Sequence, residues 1–227
     1  MTPMPMPMTL RVLARLLSYP DAEQRSHLIE MGQVLHRESA LPAARLAELD
    51  ALIQRLRSPR TLETEAAYVE LFDRGRGTAL HLFEHVHGDS RDRGPAMVDL
   101  IKTYEQADLF IAPGELPDHL TVVLEYASTQ PAASAREFLR EIAHILQVIF
   151  SALLRRESPY ASVVAAVLDL AGEKAQAVKL PEEPAIDDSW QEPAAFDGCS
   201  TAGQARPGQP QPIQIVRQPA PPTGARA

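Results

Sequence analysis

From Leu10 to Ala171 the apolar residues recur every three or four positions, and no stretch alternates with period two beyond a few residues. Spacing of three and four places apolar side chains on one face of a helix, and alternation would be needed for a half-buried strand. Asn-Gly or Asp-Gly pairs between alternating runs, the usual hairpin signal, are also missing; Asp197-Gly198 lies in the C-terminal segment. The chain is therefore expected to be all-α: a single helical bundle of about eight to nine helices with a disordered C-terminal tail.

The stripes can be followed along the chain. Leu10, Leu13, Ala14 and Leu17 open the pattern, and Tyr19-Pro20-Asp21 stops it and caps the next helix. Leu28, Met31 and Leu35 follow, then Leu46, Leu49, Ile53 and Leu56, ended by Ser58-Pro59. Thr61 is the expected cap of a helix running through Tyr68, Leu71 and Phe72. Met97, Ile101 and Tyr104 form another face, and Leu116, Leu120, Val123, Leu124 and Ala127 a further one, closed by Gln130-Pro131. The longest stripe, Phe138, Ile142, Ile145, Ile149 and Leu153, is expected to be one central buried helix. Ser158-Pro159 then restarts the chain with a cap and a proline ahead of Val163, Val164, Val167, Leu168 and Ala171.

Proline placement sets the boundaries. Residues 1–8 hold three of the 20 prolines, residues 9–180 hold eight and residues 181–227 hold nine. With four glycines added, 13 of the last 47 residues are Pro or Gly, too many to bury enough apolar surface to offset ordering entropy. The expected organisation is a flexible N-terminal arm (1–8), an all-helical domain (9–180) and a Pro/Gly-rich disordered tail (181–227). Trp190 and Ile213-Gln-Ile-Val216 are the tail's two apolar spots.

Charge and cysteine content narrow the function classes. The net charge is −8, which argues against nucleic acid and anionic membrane surfaces as partners and favours a basic one. Cys199 is the one cysteine, so no intrachain disulfide and no cysteine-based zinc or iron–sulfur site can form. No run approaches the roughly 18–20 apolar residues of a membrane span, and residues 1–17 lack the apolar core of a signal peptide. Together these point to the cytoplasm, without membrane insertion.

Four groups of residues could carry chemistry. His81, His85 and His87, with Phe83 and Glu84 between them, are the densest histidine cluster, and His81 and His85 are spaced to share a helix face. Such imidazoles can hold zinc, giving the alternative of a metal-binding enzyme or sensor; equally, they can cap or hydrogen-bond a helix end. Asp73-Arg-Gly-Arg-Gly77 lacks the preceding strand and the Lys-Ser/Thr ending of a phosphate loop and reads as a helix end and turn. Arg74, Arg76, Arg91 and Arg93, mixed with acids, read as a solvated charge network. Asp118 and His119 open the helix carrying Leu120, where a carboxylate suits the positive helix end and a His beside acids can titrate near neutrality. No nucleophile–base grouping accompanies them.

Tyr68-Val-Glu-Leu-Phe-Asp-Arg-Gly-Arg-Gly77, Leu80-His-Leu-Phe-Glu-His-Val-His-Gly-Asp-Ser-Arg-Asp-Arg-Gly94 and Glu115-Leu-Pro-Asp-His-Leu120, with Leu16-Leu-Ser-Tyr-Pro20, resemble the NarJ-type assembly chaperones of respiratory nitrate reductase. The resemblance covers roughly residues 9–175, and the middle stretch is the one most particular to this branch. It implies a chaperone, not an enzyme, that binds the N-terminal segment of the apo catalytic (alpha) subunit. Such a chaperone holds that subunit competent for molybdenum cofactor and iron–sulfur insertion before membrane docking, and then leaves. It retains no cofactor and no metal itself. The resemblance also implies a peptide site of Tyr68, Leu71, Phe72, Glu115, Pro117, Asp118, His119 and Leu120; on pattern alone Tyr68, Leu71 and Phe72 would be core. Leu116 stands where many relatives have proline. For His81, Phe83, Glu84, His85 and His87 the resemblance marks a diagnostic segment without assigning a role.

Overall fold

The computed structural model describes residues 6–74, 76–88 and 90–180. The expectations for residues 1–5 and for the tail, including Trp190 and Ile213–Val216, fall outside these.

Among the described residues eleven α-helices follow one another: α1 (Pro7–Leu16), α2 (Ala22–Ser26), α3 (Leu28–Glu38), α4 (Ala43–Leu56), α5 (Thr61–Tyr68), α6 (Leu82–His87), α7 (Arg93–Glu105), α8 (Leu120–Thr129), α9 (Ala132–Glu141), α10 (Ala143–Arg155) and α11 (Ala161–Ala171). The all-α expectation holds, and the number of helices exceeds the expected eight to nine. One cause is the stripe from Phe138 to Leu153, expected as a single central helix: the backbone breaks at Ile142 (φ −92°, ψ 1°) and makes two, α9 and α10. Without Gly or Pro at the break, apolar spacing runs straight across it. Another cause is the five-residue α2, whose N-cap Asp21 accepts from the Gln24 N–H at 2.7 Å as its sequence predicts.

The central helix is α11. Ten of its eleven residues are buried, and an all-round apolar helix belongs in a core. It packs against α10, α9, α4 and α1. Its remaining residue, Asp169, accepts from Arg45 of α4 at 2.8 Å. Gly172 ends it at φ +84°, and Glu173 N–H bonds back to the Leu168 carbonyl at 2.9 Å, a closure that favours a residue without Cβ.

α1 lies along α8, with Arg11 Nε donating to Ser128 Oγ at 3.2 Å, and also against α3. It begins at Pro7, inside the segment expected as an arm, and Met6 is buried in the core. Between α5 and α6 the chain makes a π-helical turn (Val69–Asp73), closed by Arg74 N–H on the Val69 carbonyl, and a 3-10 turn (Arg76–Thr78). Among the described residues no helix is long and apolar enough to cross a membrane.

Candidate partner-docking site

The first motif stretch builds an aromatic cluster. α5 delivers Tyr68 and the π turn delivers Phe72, and both rings are buried. Their centroids are 4.8 Å apart; Tyr19 meets Tyr68 edge-on at 5.6 Å, and Tyr160 meets Phe72 at 5.0 Å. The Tyr68 hydroxyl donates to the Leu17 carbonyl at 2.7 Å, tying α5 to the end of α1. Burial pushes that hydroxyl well above the usual tyrosine range. Phe72 is thus core. Leu71 is half-buried and, with one side of Tyr68, lines a cleft of about 500 Å³ that also reaches Arg60, Arg156 and Tyr160.

The second and third stretches clasp each other. Leu82 N–H donates to the Asp118 carbonyl at 3.0 Å, and Leu120 N–H to the Leu80 carbonyl at 2.8 Å, a one-rung antiparallel bridge between His81 and His119. Their rings meet edge-on at 4.9 Å. The Asp118 side chain is completely buried. One oxygen, Oδ2, accepts from the Phe83 N–H at 3.1 Å and lies 3.8 Å from Arg93; the other, Oδ1, faces His81 Nδ1 at 3.6 Å. At that separation the two atoms interact as charges and neither has a hydrogen-bond partner. Arg93, only a quarter exposed, also reaches Glu84 at 3.5 Å.

This places Asp118 differently from the sequence expectation. It does not cap its own helix but caps α6 through the Phe83 N–H. Its neighbour His119 caps α8: Nδ1 accepts from Thr121 N–H at 3.4 Å and sits 2.6 Å from the Thr121 hydroxyl. Arg93, read from the sequence as part of a solvated network, is instead the cation over a buried carboxylate.

Electrostatics follow from burial. The Asp118 carboxylate raises the His81 pKa against a desolvation cost. For Asp118, burial pushes up, but His81, the Phe83 N–H and Arg93 outweigh it and the net shift is down. His119 is lowered to about 4, first by burial and then by the positive His81 beside it. The clasp therefore favours the charged forms of His81 and Asp118, beside a His119 held towards its neutral form with Nδ1 committed to Thr121.

The histidines do not converge. His81 precedes α6 rather than sharing its face with His85, whose Nε2 lies 2.8 Å from the Ala79 carbonyl, and His87 packs against the Phe83 ring at 5.6 Å. Among the described residues no group of three or more His, Cys, Asp or Glu is placed to hold a metal. Pro117 and Leu120 are buried, and the Pro117 carbonyl accepts from the Tyr104 hydroxyl at 2.8 Å. Glu115 is exposed. It lines both a cleft of about 620 Å³ against α1 and α8 and a smaller groove of about 280 Å³ against α7. The sequence-derived site thus divides into a buried aromatic cluster with half-buried Leu71 at its edge, a clasp around the buried Asp118, and one exposed acid. Tyr104 and Phe110, which shape the surface around Glu115, carried no sequence signal beyond apolar spacing.

These features define an all-helical scaffold with open clefts on its surface. Its fold is shared by a crystal structure from Archaeoglobus fulgidus described as a "putative redox enzyme maturation protein". The TM-score is 0.52 at 19% identity, over 74% of this chain and 94% of that one. Residues 38–166 match the family model for the nitrate reductase delta subunit. The nitrate reductase molybdenum cofactor assembly chaperone NarJ of Escherichia coli K12 is 43% identical over 188 residues, 83% of this chain and 80% of that protein. The same organism's NarW, described as a probable chaperone of the same kind, is 39% identical over 163 residues, 72% of this chain and 68% of that one. The chain belongs to the nitrate reductase delta subunit family, among its NarJ-type assembly chaperones.

Proposed function

We propose that the chain is a dedicated molybdenum cofactor assembly chaperone for a nitrate reductase, acting in the cytoplasm on the apo catalytic subunit. The observation that carries this reading is the 43% identity, across most of both chains, to a protein named for that task. The chaperone engages the N-terminal segment of the catalytic subunit and keeps it competent for cofactor and iron–sulfur insertion. It releases the subunit before membrane docking and keeps no cofactor itself. The net charge of −8 supports a basic partner segment, and helical scaffolds offer apolar grooves to amphipathic helices.

Titration calorimetry with a synthetic peptide of the catalytic subunit's first ~15 residues tests the reading. Saturable one-to-one binding is expected; a dissociation constant weaker than ~1 mM, about −4 kcal/mol, refutes recognition through that segment. The candidate contacts divide by exposure. Leu71 and Glu115 are open to a peptide, whereas Phe72, Asp118 and Leu120 support the surface from beneath.

A further inference from the structure

We propose that residues 174–178 form a releasable strap, a stretch of main chain clipped to α10 that opens while the helices stay folded. Opening switches residues 173–180 from a fixed edge of the bundle to a free linker ahead of residue 181. The device stands apart from partner recognition and holds whether or not the proposed function does.

Beyond Gly172 the chain has no regular secondary structure, and two side chains of α10 hold its main chain at alternate residues. The Gln147 amide takes two groups at once: Nε2 donates to the Lys174 carbonyl at 2.7 Å, and Oε1 accepts from the Gln176 N–H at 2.9 Å. One turn further along α10, Ser151 Oγ accepts from the Val178 N–H at 2.8 Å and donates to the Gln147 carbonyl at 2.7 Å. Residues four apart share a helix face, and groups two residues apart recur along one edge of an extended chain. The clip therefore matches the two periods and reads main chain rather than side chains.

Little else holds the strap. Among residues 172–180, Glu173, Ala175 and Leu180 are half-buried and the others are exposed. Ala175 packs against the core with a single methyl group, and Arg140 lies 3.7 Å from Glu173 with both side chains about half exposed. In α11, immediately before it, ten of eleven residues are buried. A segment with few buried apolar contacts and exposed hydrogen bonds opens far more readily than the core beside it, and its three clip bonds exchange for bonds to water. The hinge is the end of α11, where the Gly172 turn and the Glu173 N–H bond to Leu168 belong to the helix.

The chain has three lysines, Lys174 and Lys179 beside the clip and Lys102 within α7. A lysine-specific protease acting on the native full chain therefore reports strap opening against an internal control. Gln147→Ala with Ser151→Ala removes the clip from α10. Gln176→Pro with Val178→Pro removes the two N–H donors from the strap and leaves α10 untouched. Relative to synthetic peptides of the same sequences, each pair is expected to raise cleavage at Lys174 and Lys179 about tenfold, because such cleavage follows the open population. Lys102 should be cut no faster. All four substitutions together should fall well short of the product of the two effects, since both pairs break the same contacts. The proposal is overturned if the variants are cut no faster than wild type, if Lys102 accelerates in parallel, or if the two effects multiply in full.

Discussion

Neutral His119 makes a prediction whose size follows from its surroundings. In the unfolded chain its imidazole has the ordinary pKa of 6.5; in the fold, burial and the charge on His81 lower it to about 4. Below 6.5 the unfolded state takes up a proton that the folded state refuses, so this residue's contribution to stability is complete above pH 6.5 and is lost as pH falls towards 4. For one site with these two values, acidification from pH 7 to pH 5 removes about 2 kcal/mol. His81 has the opposite sign: its raised pKa gives stability that is complete below 6.5 and is lost as pH rises through the folded value. The two are separated by comparing wild type with His119→Asn, whose Oδ1 takes the place of Nδ1 as acceptor for Thr121 N–H. Urea unfolding followed by circular dichroism should show wild type losing about 2 kcal/mol more than the variant between pH 7 and pH 5. Parallel pH profiles would mean that His119 titrates normally and that the clasp does not hold it neutral.

Three further outcomes are expected. Asp118→Asn strands Arg93 and His81 beside a neutral side chain and should cost about 3–5 kcal/mol; NMR titration of His81 should show its pKa falling, and an unmoved pKa would remove Asp118 as the cause. Phe72→Ala empties a buried aromatic site and should cost about 3–5 kcal/mol, yet calorimetry on the folded fraction should find the N-terminal peptide bound as before; selective loss of binding would make Phe72 a contact rather than core. Affinity for that peptide should fall as salt rises, since the screening length shrinks from about 10 Å at 0.1 M to about 3 Å at 1 M, and a salt-independent affinity would assign recognition to apolar packing alone.

What could be read from sequence was local. Asp21 announced its cap, Gln130-Pro131 a helix end, and the apolar spacing the all-helical class, because each depends on residues within one or two turns. The break at Ile142 could not be read, since apolar spacing continues across it and neither Gly nor Pro marks it. The same spacing made α9–α10 look central, whereas α11 is more thoroughly buried. Continuous apolar character, not the length of a stripe, was the better sign. Asp118 was misplaced for a related reason. Its position suggested a cap on α8, but its partners Phe83, His81 and Arg93 lie 25 or more positions away, and only tertiary structure brings them together.

The clasp also explains why the candidate residues divide as they do. α6 has six residues, too few to persist on its own local bonds. It is held by Asp118 at its first turn, by the bridge to His119 and, through Glu84, by Arg93 at the start of α7. The stretches 80–87 and 117–121 thus form one unit, and the buried Tyr68–Phe72 cluster fixes α5 to the end of α1 in the same way. Side chains spent on such joints cannot also meet a partner without exposing a buried charge or opening the core. Among the motif residues outside these joints, Leu71 lines its cleft and Glu115 is exposed. The buried motif residues therefore act first as joints of the fold, which is why they read from the sequence as a single site although the structure divides them.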